Sequence, residues 1–261
     1  MTMNSATTWE SLLDAPGACD HLVQLYTDDE FLARAVVHFV RAGFDGGEAA
    51  VIIATPGHIA LFSERLPEVS EALAQRQLVF LDADECLKTF MVDGTPDRQA
   101  FLVTVTAALQ RVRAAGYPRM RLYGEMVNLL WQRDALDAAV RLEELWNELL
   151  AVERLPLLCA YRIDNFDRHA HRRALGPIGK VHSHMIPLEH YDRLERAVER
   201  AYFDVFGPDG DAQTLRELLV TSLGPTSAMP RAQAALLALR GVNAHTADAV
   251  LDRAKLYYSE A

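Results

Sequence analysis

Short apolar runs alternate with helix-like segments five times along this chain of 261 residues. The run Ala49–Ala54 is continuous, apolar and rich in β-branched residues, which is typical of a strand covered on both faces. Strands that alternate with helices are typical of a mostly parallel sheet built from right-handed crossovers. The sequence therefore predicts an α/β fold with at least five strands and with helices on both faces. The predicted strands are His21–Tyr26, Ala49–Ala54, Leu78–Leu81, Met120–Tyr123 and Leu155–Tyr161.

Helix starts follow several of these runs. Thr27–Glu30 has the spacing of a capping box, in which a hydroxyl and a carboxylate three residues later satisfy free amides. Thr55-Pro56 and Thr95-Pro96 each place a hydroxyl before a proline, and proline suits the first position of a helix. We expect these pairs to begin helices, and we expect another helix over Asp134–Arg154.

The pattern divides the chain into three parts. Residues 1–20 show no periodicity and predict a short leader, residues 21–187 form the α/β domain, and residues 188–261 contain only helical patterns. Within the second part, Leu175–Gly179 reads as a loop. The predicted tail helices are Leu188–Phe206, Ala212–Leu223, Pro230–Leu239 and Ala244–Tyr258.

Composition excludes several classes of function. The net charge of -10 argues against non-specific binding to nucleic acid or to an anionic membrane, because both need a basic surface. No run approaches the roughly 18 apolar residues that span a bilayer, and residues 1–20 lack the pattern of a secretion signal. Cys19, Cys86 and Cys159 are few and far apart, which suits a reducing compartment. We therefore expect a cytoplasmic protein.

Chemistry in an open parallel sheet collects where the strands end, because ligands bind outside their carboxyl ends. The residues near those ends carry aromatic rings, hydroxyls and charges, which suit a small ligand with polar and apolar parts. No residue is assigned a catalytic role. The predicted ligand-binding residues are Tyr26, Thr55, His58, Arg121, Glu125, Met126, Trp131 and Tyr161.

Glu125 follows a strand that breaks at Gly124, and two interpretations remain open for it. It is either an acid that the dipole of the next helix favours, or a carboxylate that faces a ligand. Trp131 is likewise either a core or interface residue or a stacking surface for a ligand.

Glu143 lies in the middle of the apolar face of the helix predicted over Asp134–Arg154. A lone charge buried there is costly, so Glu143 needs a partner. Arg121 is the predicted partner, because arginine often pairs with buried carboxylates through two hydrogen bonds. Such a pair can simply hold the helix against the sheet.

His182 and His184 have the spacing of two imidazoles on one side of an extended segment, which makes them weak candidates for a metal site. No nearby cysteine or carboxylate completes a ligand set. The chain also lacks a phosphate loop with its Lys-Ser/Thr, a G-x-G-x-x-G fingerprint and a G-x-S-x-G elbow. Hydrolysis of ATP or GTP by a phosphate-loop mechanism is therefore disfavoured.

Several stretches together resemble one family. They are His21–Tyr26, Phe39–Glu48, Arg121–Met126, Glu143 and Leu158–Tyr161, and in this order they are similar to the MEDS domain, the methanogen/methylotroph sensory domain of the DcmR type of dichloromethane-responsive regulator. The resemblance covers about residues 18–187. The positions that match the family's motifs are His21, Tyr26, Gly43, Glu48, Arg121, Glu125, Glu143, Cys159 and Tyr161.

This resemblance implies a degenerate relative of the RecA/KaiC-like fold that senses small molecules such as hydrocarbon derivatives. We therefore expect a non-enzymatic sensor that signals through its helical tail to a protein partner of a signalling pathway or to a second subunit. The alternatives are a RecA-derived nucleotide-binding enzyme or ATPase that uses Glu125, and an interaction scaffold without a ligand. The cofactor, if any, stays unknown.

Overall fold

The computed structural model describes residues 9–207, 215–218, 221 and 229–260. Two compact units make up the chain, Met1–Arg162 and Ile163–Ala261. The first unit is an α/β domain and the second is mainly helical, so the predicted fold class is confirmed.

Five long strands of the first unit form its parallel sheet, in the order β3-β2-β6-β7-β1. All six residues of β2 are buried, as the continuous apolar run predicts. The two-residue strands β4 and β5 pair separately and antiparallel. The strands of the first unit are β1 (His21–Tyr26), β2 (Ala49–Ala54), β3 (Leu78–Asp82), β4 (Met91–Val92), β5 (Thr95–Pro96), β6 (Met120–Gly124) and β7 (Leu157–Arg162).

Helices cover both faces of this sheet. Successive side chains of a strand point to opposite faces, and all six of those on β2 are buried. On β6, the Tyr123 ring meets Phe62, whereas a Cβ on the next residue, Gly124, would lie 3.8 Å from Trp146. The helices of the first unit are α1 (Trp9–Asp14), α2 (Asp29–Asp45), α3 (Pro56–Arg65), α4 (Val69–Ala74), α5 (Ala83–Phe90), α6 (Arg98–Ala114), α7 (Met126–Gln132) and α8 (Leu136–Glu153). Phe62 belongs to α3 and Trp146 to α8, so these two helices lie on opposite faces.

The second unit packs its helices around an apolar core. Leu194, Val198 and Leu251 are fully or almost fully buried in it, and Asp248 accepts from Arg240 at 2.5 Å and from Arg172 at 2.5 Å. Its elements are α9 (Arg168–Arg173), α10 (Leu175–Val181), the strand β8 (His184–Ile186), α11 (Tyr191–Phe206), α12 (Arg231–Val242) and α13 (Ala244–Glu260). Three of the predicted tail helices are thus present, and the predicted helix 212–223 lies mostly outside the described residues.

Several local predictions are wrong. Asp28, not Thr27, caps α2, because its carboxylate accepts a hydrogen bond from the amide of Glu30 at 3.0 Å. Thr95 and Pro96 form β5, and α6 begins three residues after Thr95 with Asp97 as its cap. The segment Leu175–Val181 is a helix instead of a loop, and the stretch predicted as a leader contains α1. In the described part of the chain, no helix has the length and apolar character needed to cross a membrane.

Candidate functional site

Glu125 lies at the carboxyl edge of the sheet, immediately after β6. Its backbone amide donates to the carbonyl of Ile53 at 3.1 Å, so the chain continues the pairing of β6 with β2 for one more residue. The side chain is completely buried. A carboxylate in such a place needs hydrogen-bond donors around it, because burial without partners is costly.

Three groups donate to the carboxylate of Glu125. The backbone amide of Thr55 donates to Oε1, while His58 Nδ1 lies 2.5 Å and the Tyr123 hydroxyl 3.1 Å from Oε2. Hydrogen bonds to a charged acceptor are stronger than those between neutral groups. The three donors therefore hold the carboxylate in one position.

The start of α3 explains two of these donors. Thr55 occupies the N-cap position, but its side chain makes no capping hydrogen bond. Its backbone amide is turned toward Glu125, and His58 follows in the first turn of the helix. The positive end of the helix dipole also favours a negative charge here. Glu125 also occupies the N-cap position of α7, although its side chain makes no capping hydrogen bond there, so its interaction with the dipole of that helix stays a prediction.

A second layer connects His58 to solvent. His58 Nε2 lies 3.5 Å from the carboxylate of Asp29, and Asp29 forms an ion pair with Arg162. The side chains of Asp29 and Arg162 are 45% and 44% exposed, whereas that of His58 is 15% exposed. The chain of contacts from Arg162 to Glu125 thus runs from the surface to the interior.

Tyr26 lies beneath this surface pair. The guanidinium of Arg162 is 5.4 Å from the centre of the Tyr26 ring, and Asn128 Nδ2 donates to the Tyr26 hydroxyl at 3.3 Å. The backbone amide of Arg162 donates to Asn128 Oδ1 at 2.9 Å. Asn128 therefore connects the carboxyl ends of β1 and β7. We call Tyr26, Asp29, His58, Tyr123, Glu125, Asn128 and Arg162 the carboxyl-edge network.

The network changes the proton affinity of its members. Burial disfavours the charged imidazole of His58, but the hydrogen bond and charge of Glu125, helped by Asp29, outweigh burial and raise the pKa of His58. Burial and the charge of Glu125 raise the pKa of Tyr26 and of Tyr123 well above the usual value. The two phenols therefore act as hydrogen-bonding groups, and His58 is the member whose charge responds to its partners.

Four of the eight predicted ligand-binding residues come together here, namely Tyr26, Thr55, His58 and Glu125. Met126 is buried at the start of α7, and Trp131 lies near the end of that helix. Sequence reasoning missed four members of the network, and two of them had visible signals. Asp29 begins the helix after β1, and Arg162 follows the last residue of the predicted fifth strand. The other two are Tyr123 and Asn128.

The predicted pair between Arg121 and Glu143 is wrong. Arg121 Nε donates to Glu48 at 2.6 Å, and its other donors reach the carbonyls of Leu13, Phe39 and Asp14. Arg121 and Tyr123 are two residues apart on β6 and therefore share the face that α3 covers. Glu143 belongs to α8 on the opposite face, where Arg121 cannot reach it.

Glu143 instead lies in a buried cluster under α8. The hydroxyl of Tyr161 donates to Glu143 Oε1 at 2.7 Å, and His21 Nε2 lies 3.2 Å from Oε2. The thiol of Cys159 is 3.6 Å from the same oxygen. Burial and the negative charge of Glu143 raise the pKa of Cys159 and of Tyr161 well above their usual values. Tyr161 is thus part of this cluster rather than of the carboxyl edge.

The two histidines proposed as weak metal candidates make different contacts. His182 Nδ1 lies 2.7 Å from the carbonyl of Ile178, and His184 Nδ1 lies 3.2 Å from the hydroxyl of Ser183. Among the described residues, His184 belongs to no group of three or more side chains able to hold a metal ion. Whether these two histidines share a metal ion therefore stays a prediction.

The start of α2 is unsuited to a nucleotide phosphate. Asp28 caps the helix with its carboxylate, and Asp29 and Glu30 follow in the first turn. A phosphate that binds at a helix N-terminus needs free amides and no competing negative charge. These three acids therefore disfavour a phosphate at the start of α2.

Comparison with known families agrees with this architecture. The model of the MEDS family, described as the methanogen/methylotroph, DcmR sensory domain, matches residues 20–176. The match includes the five strands of the parallel sheet and every member of the carboxyl-edge network. A comparison with curated proteins found no match.

Proposed function

Because this chain belongs to the MEDS family of sensory domains, we propose that it is a sensory protein that binds a small molecule at the carboxyl edge of its sheet. The observation that carries the proposal is the burial of Glu125 beneath a partly exposed chain of charged groups. Ligands of open α/β sheets bind at this edge.

The surface pair Asp29–Arg162 is the point of entry in this proposal. Both side chains are nearly half exposed, and an exposed ion pair contributes about 0–1 kcal/mol to stability. A ligand with a polar atom can therefore replace one partner at little cost. Opening the pair uncovers the Tyr26 ring, which then supplies apolar contact to the rest of the ligand.

His58 passes the change from the surface to the interior. It contacts Asp29 through one ring nitrogen and Glu125 through the other. A ligand that displaces Asp29 removes one of the two negative charges that stabilise the imidazolium. The closed and open arrangements of Asp29, His58 and Arg162 are the two states that a sensor requires, because a ligand shifts an equilibrium by its difference in affinity for them.

The output is proposed to pass through the helical unit Ile163–Ala261 to a protein partner or to a second copy of the chain. A homo-oligomer with a role in transcription regulation would fit this scheme.

Calorimetric titration of the full chain tests ligand binding. The panel contains adenine nucleotides, dichloromethane, short alcohols and other small hydrocarbon derivatives. We expect binding by a small organic molecule and no binding by nucleotides, since acids occupy the start of α2. If no member of a broad panel binds to folded protein, the proposal fails.

Three variants locate the site for any ligand that binds. Glu125→Gln and Arg162→Gln are expected to weaken binding about tenfold or more, since a hydrogen bond to a charged group contributes about 1.5–3 kcal/mol. Asp84→Asn is the matched control, because Asp84 also follows a strand at the carboxyl edge but pairs with Arg133 outside the network. Equal affinities in all three variants would place the ligand elsewhere.

A further inference from the structure

The buried cluster under α8 is separate from the site proposed above. His21 and Tyr26 are five residues apart on β1 and therefore point to opposite faces of the sheet. Cys159 of β7 and Glu143 of α8 contact His21 on one face. On the other face, the His58 ring lies beside the Tyr26 ring, and Glu125 accepts a hydrogen bond from Tyr123. The cluster therefore lies outside the proposed ligand site.

Three potential metal ligands in this cluster form a small triangle. His21 Nε2 lies 3.2 Å from Glu143 Oε2 and 3.3 Å from Cys159 Sγ, and the sulfur lies 3.6 Å from the same oxygen. A tetrahedral zinc ion binds nitrogen and oxygen at about 2.0–2.2 Å and sulfur at about 2.3 Å, so its ligand atoms lie about 3.3–3.6 Å apart. The observed triangle has the dimensions of one face of that tetrahedron.

Neighbouring groups orient these ligands. His21 Nδ1 lies 3.0 Å from Asn147 Oδ1, an acceptor that favours a proton on Nδ1 and directs the lone pair of Nε2 toward Glu143 and Cys159. The hydroxyl of Tyr161 donates to Glu143 Oε1 at 2.7 Å and leaves Oε2 directed at the triangle. Outer hydrogen bonds of this kind usually fix the ligands of metal sites.

Charge and burial also suit a cation. His21, Glu143 and Cys159 are at most 2% exposed. A buried carboxylate is stabilised by a positive charge, and a divalent cation beside a thiol favours loss of its proton. The set of imidazole, thiolate and carboxylate is one that zinc accepts, because zinc binds nitrogen, sulfur and oxygen donors.

We propose that His21 Nε2, Glu143 Oε2 and Cys159 Sγ are three protein ligands of a zinc-type divalent cation held between the sheet and α8. On binding, the thiol of Cys159 releases one proton, and the metal takes its place on the sulfur. The fourth tetrahedral position is left for one further donor. Without a metal, the same side chains form a hydrogen-bonded cluster. With Co²⁺ as the bound ion, the visible absorption spectrum distinguishes the metal site from that cluster.

Titration of the full chain with Co²⁺ distinguishes them. The chain is first treated with a chelator, and its fold is checked by circular dichroism. We expect about one equivalent of Co²⁺ to bind, with a sulfur-to-metal charge-transfer band and the visible bands of tetrahedral cobalt. Zn²⁺ is expected to displace Co²⁺, because zinc follows cobalt in the usual order of affinity. A folded chain that binds neither ion stoichiometrically would overturn the proposal.

Variants then identify the ligands. Cys159→Ser is expected to remove the charge-transfer band, and Asn147→Ala is expected to weaken Co²⁺ binding about 10- to 100-fold by releasing His21. Cys86→Ser is the matched control, because Cys86 is also a buried thiol but lies outside the cluster. Loss of the band in Cys86→Ser, or its persistence in folded Cys159→Ser, would refute the assignment.

Discussion

At the scale of single residues, His58 and Glu125 show how two side chains from different elements set each other's chemistry. His58 comes from the first turn of α3 and Glu125 from the end of β6, and their atoms lie 2.5 Å apart. The sequence places each of them near the end of a strand but does not show that they meet. Their meeting raises the pKa of His58 and allows Glu125 to remain fully buried.

The pKa of His58 can be measured by NMR titration. We expect it to lie above the ordinary value of 6.5 in the wild type and to fall in Glu125→Gln, because the variant removes the charge that stabilises the imidazolium. The pair then contributes stability that is complete below pH 6.5 and is lost as pH rises through the raised pKa. An unchanged pKa in Glu125→Gln would contradict this account, and Asp84→Asn serves as the control.

Gln24 gives a second prediction at this scale. Its side chain is completely buried in β1, and neither polar atom of its amide has a hydrogen-bond partner within the described residues. An unsatisfied buried amide costs about 1–3 kcal/mol. Gln24→Met, which keeps the shape, is therefore expected to raise the free energy of unfolding by about 1 kcal/mol in urea denaturation. A decrease would show that the amide has a polar partner in solution.

At the scale of elements, Arg121 joins three parts of the first unit. From β6 it donates to Glu48, to the carbonyl of Phe39 in α2, and to the carbonyls of Leu13 and Asp14 at the end of α1. The helix α1 thus has a defined docking point although its sequence shows no periodicity. The buried guanidinium acts together with α2, where Phe31 packs edge-on against the Trp9 ring at 5.6 Å and His38 contacts Asp14 at 2.7 Å.

Arg121→Ala is expected to lower the free energy of unfolding by about 3–5 kcal/mol, because it removes a buried donor from three carbonyls and the closer of the two guanidinium partners of Glu48. Arg119→Ala is the matched control. Arg119 also contacts Glu48, at 3.5 Å, but it is 66% exposed, and such pairs contribute about 0–1 kcal/mol. Equal losses in the two variants, measured by urea denaturation, would show that the buried network has no special role.

The missing side chain of Gly43 allows α2 to lie close against Arg121 of the sheet. A Cβ at this position would lie 2.8 Å from Arg121 Nε and 2.9 Å from its Cδ. Gly43→Ala is therefore expected to destabilise the protein by about 1–3 kcal/mol, despite the better helix propensity of alanine. Gly57→Ala is the control, since no atom lies within 4 Å of its added Cβ, and it should not destabilise. The thermal midpoints of the two variants compare them directly.

For the whole molecule, the net charge can be counted directly from the sequence. A net charge of -10 repels polyanions, and non-specific DNA binding depends on releasing counterions from phosphates with lysine and arginine. We expect no mobility shift of a random DNA duplex by the full chain at about 150 mM salt. A shift that weakens steeply with added salt would contradict this expectation and would reveal a local basic surface.

The sequence alone predicts the five parallel strands, the helices between them, most of the helical tail and the family. These follow from apolar periodicity and from local motifs, which act over a few residues. It also marked Tyr26, His58 and Glu125, because a parallel sheet brings the ends of its strands to one edge.

Which of these side chains meet depends on the tertiary fold. Arg121 and Glu143 look complementary in sequence, but strand alternation and the placement of α8 put them on opposite faces of the sheet. Asp28, and not Thr27, caps α2. Asp29 and Arg162 form an ion pair in the site although they are 133 positions apart in the sequence. The grouping of His21, Glu143 and Cys159 likewise depends on strand register and helix docking, which act between distant segments and leave no local pattern.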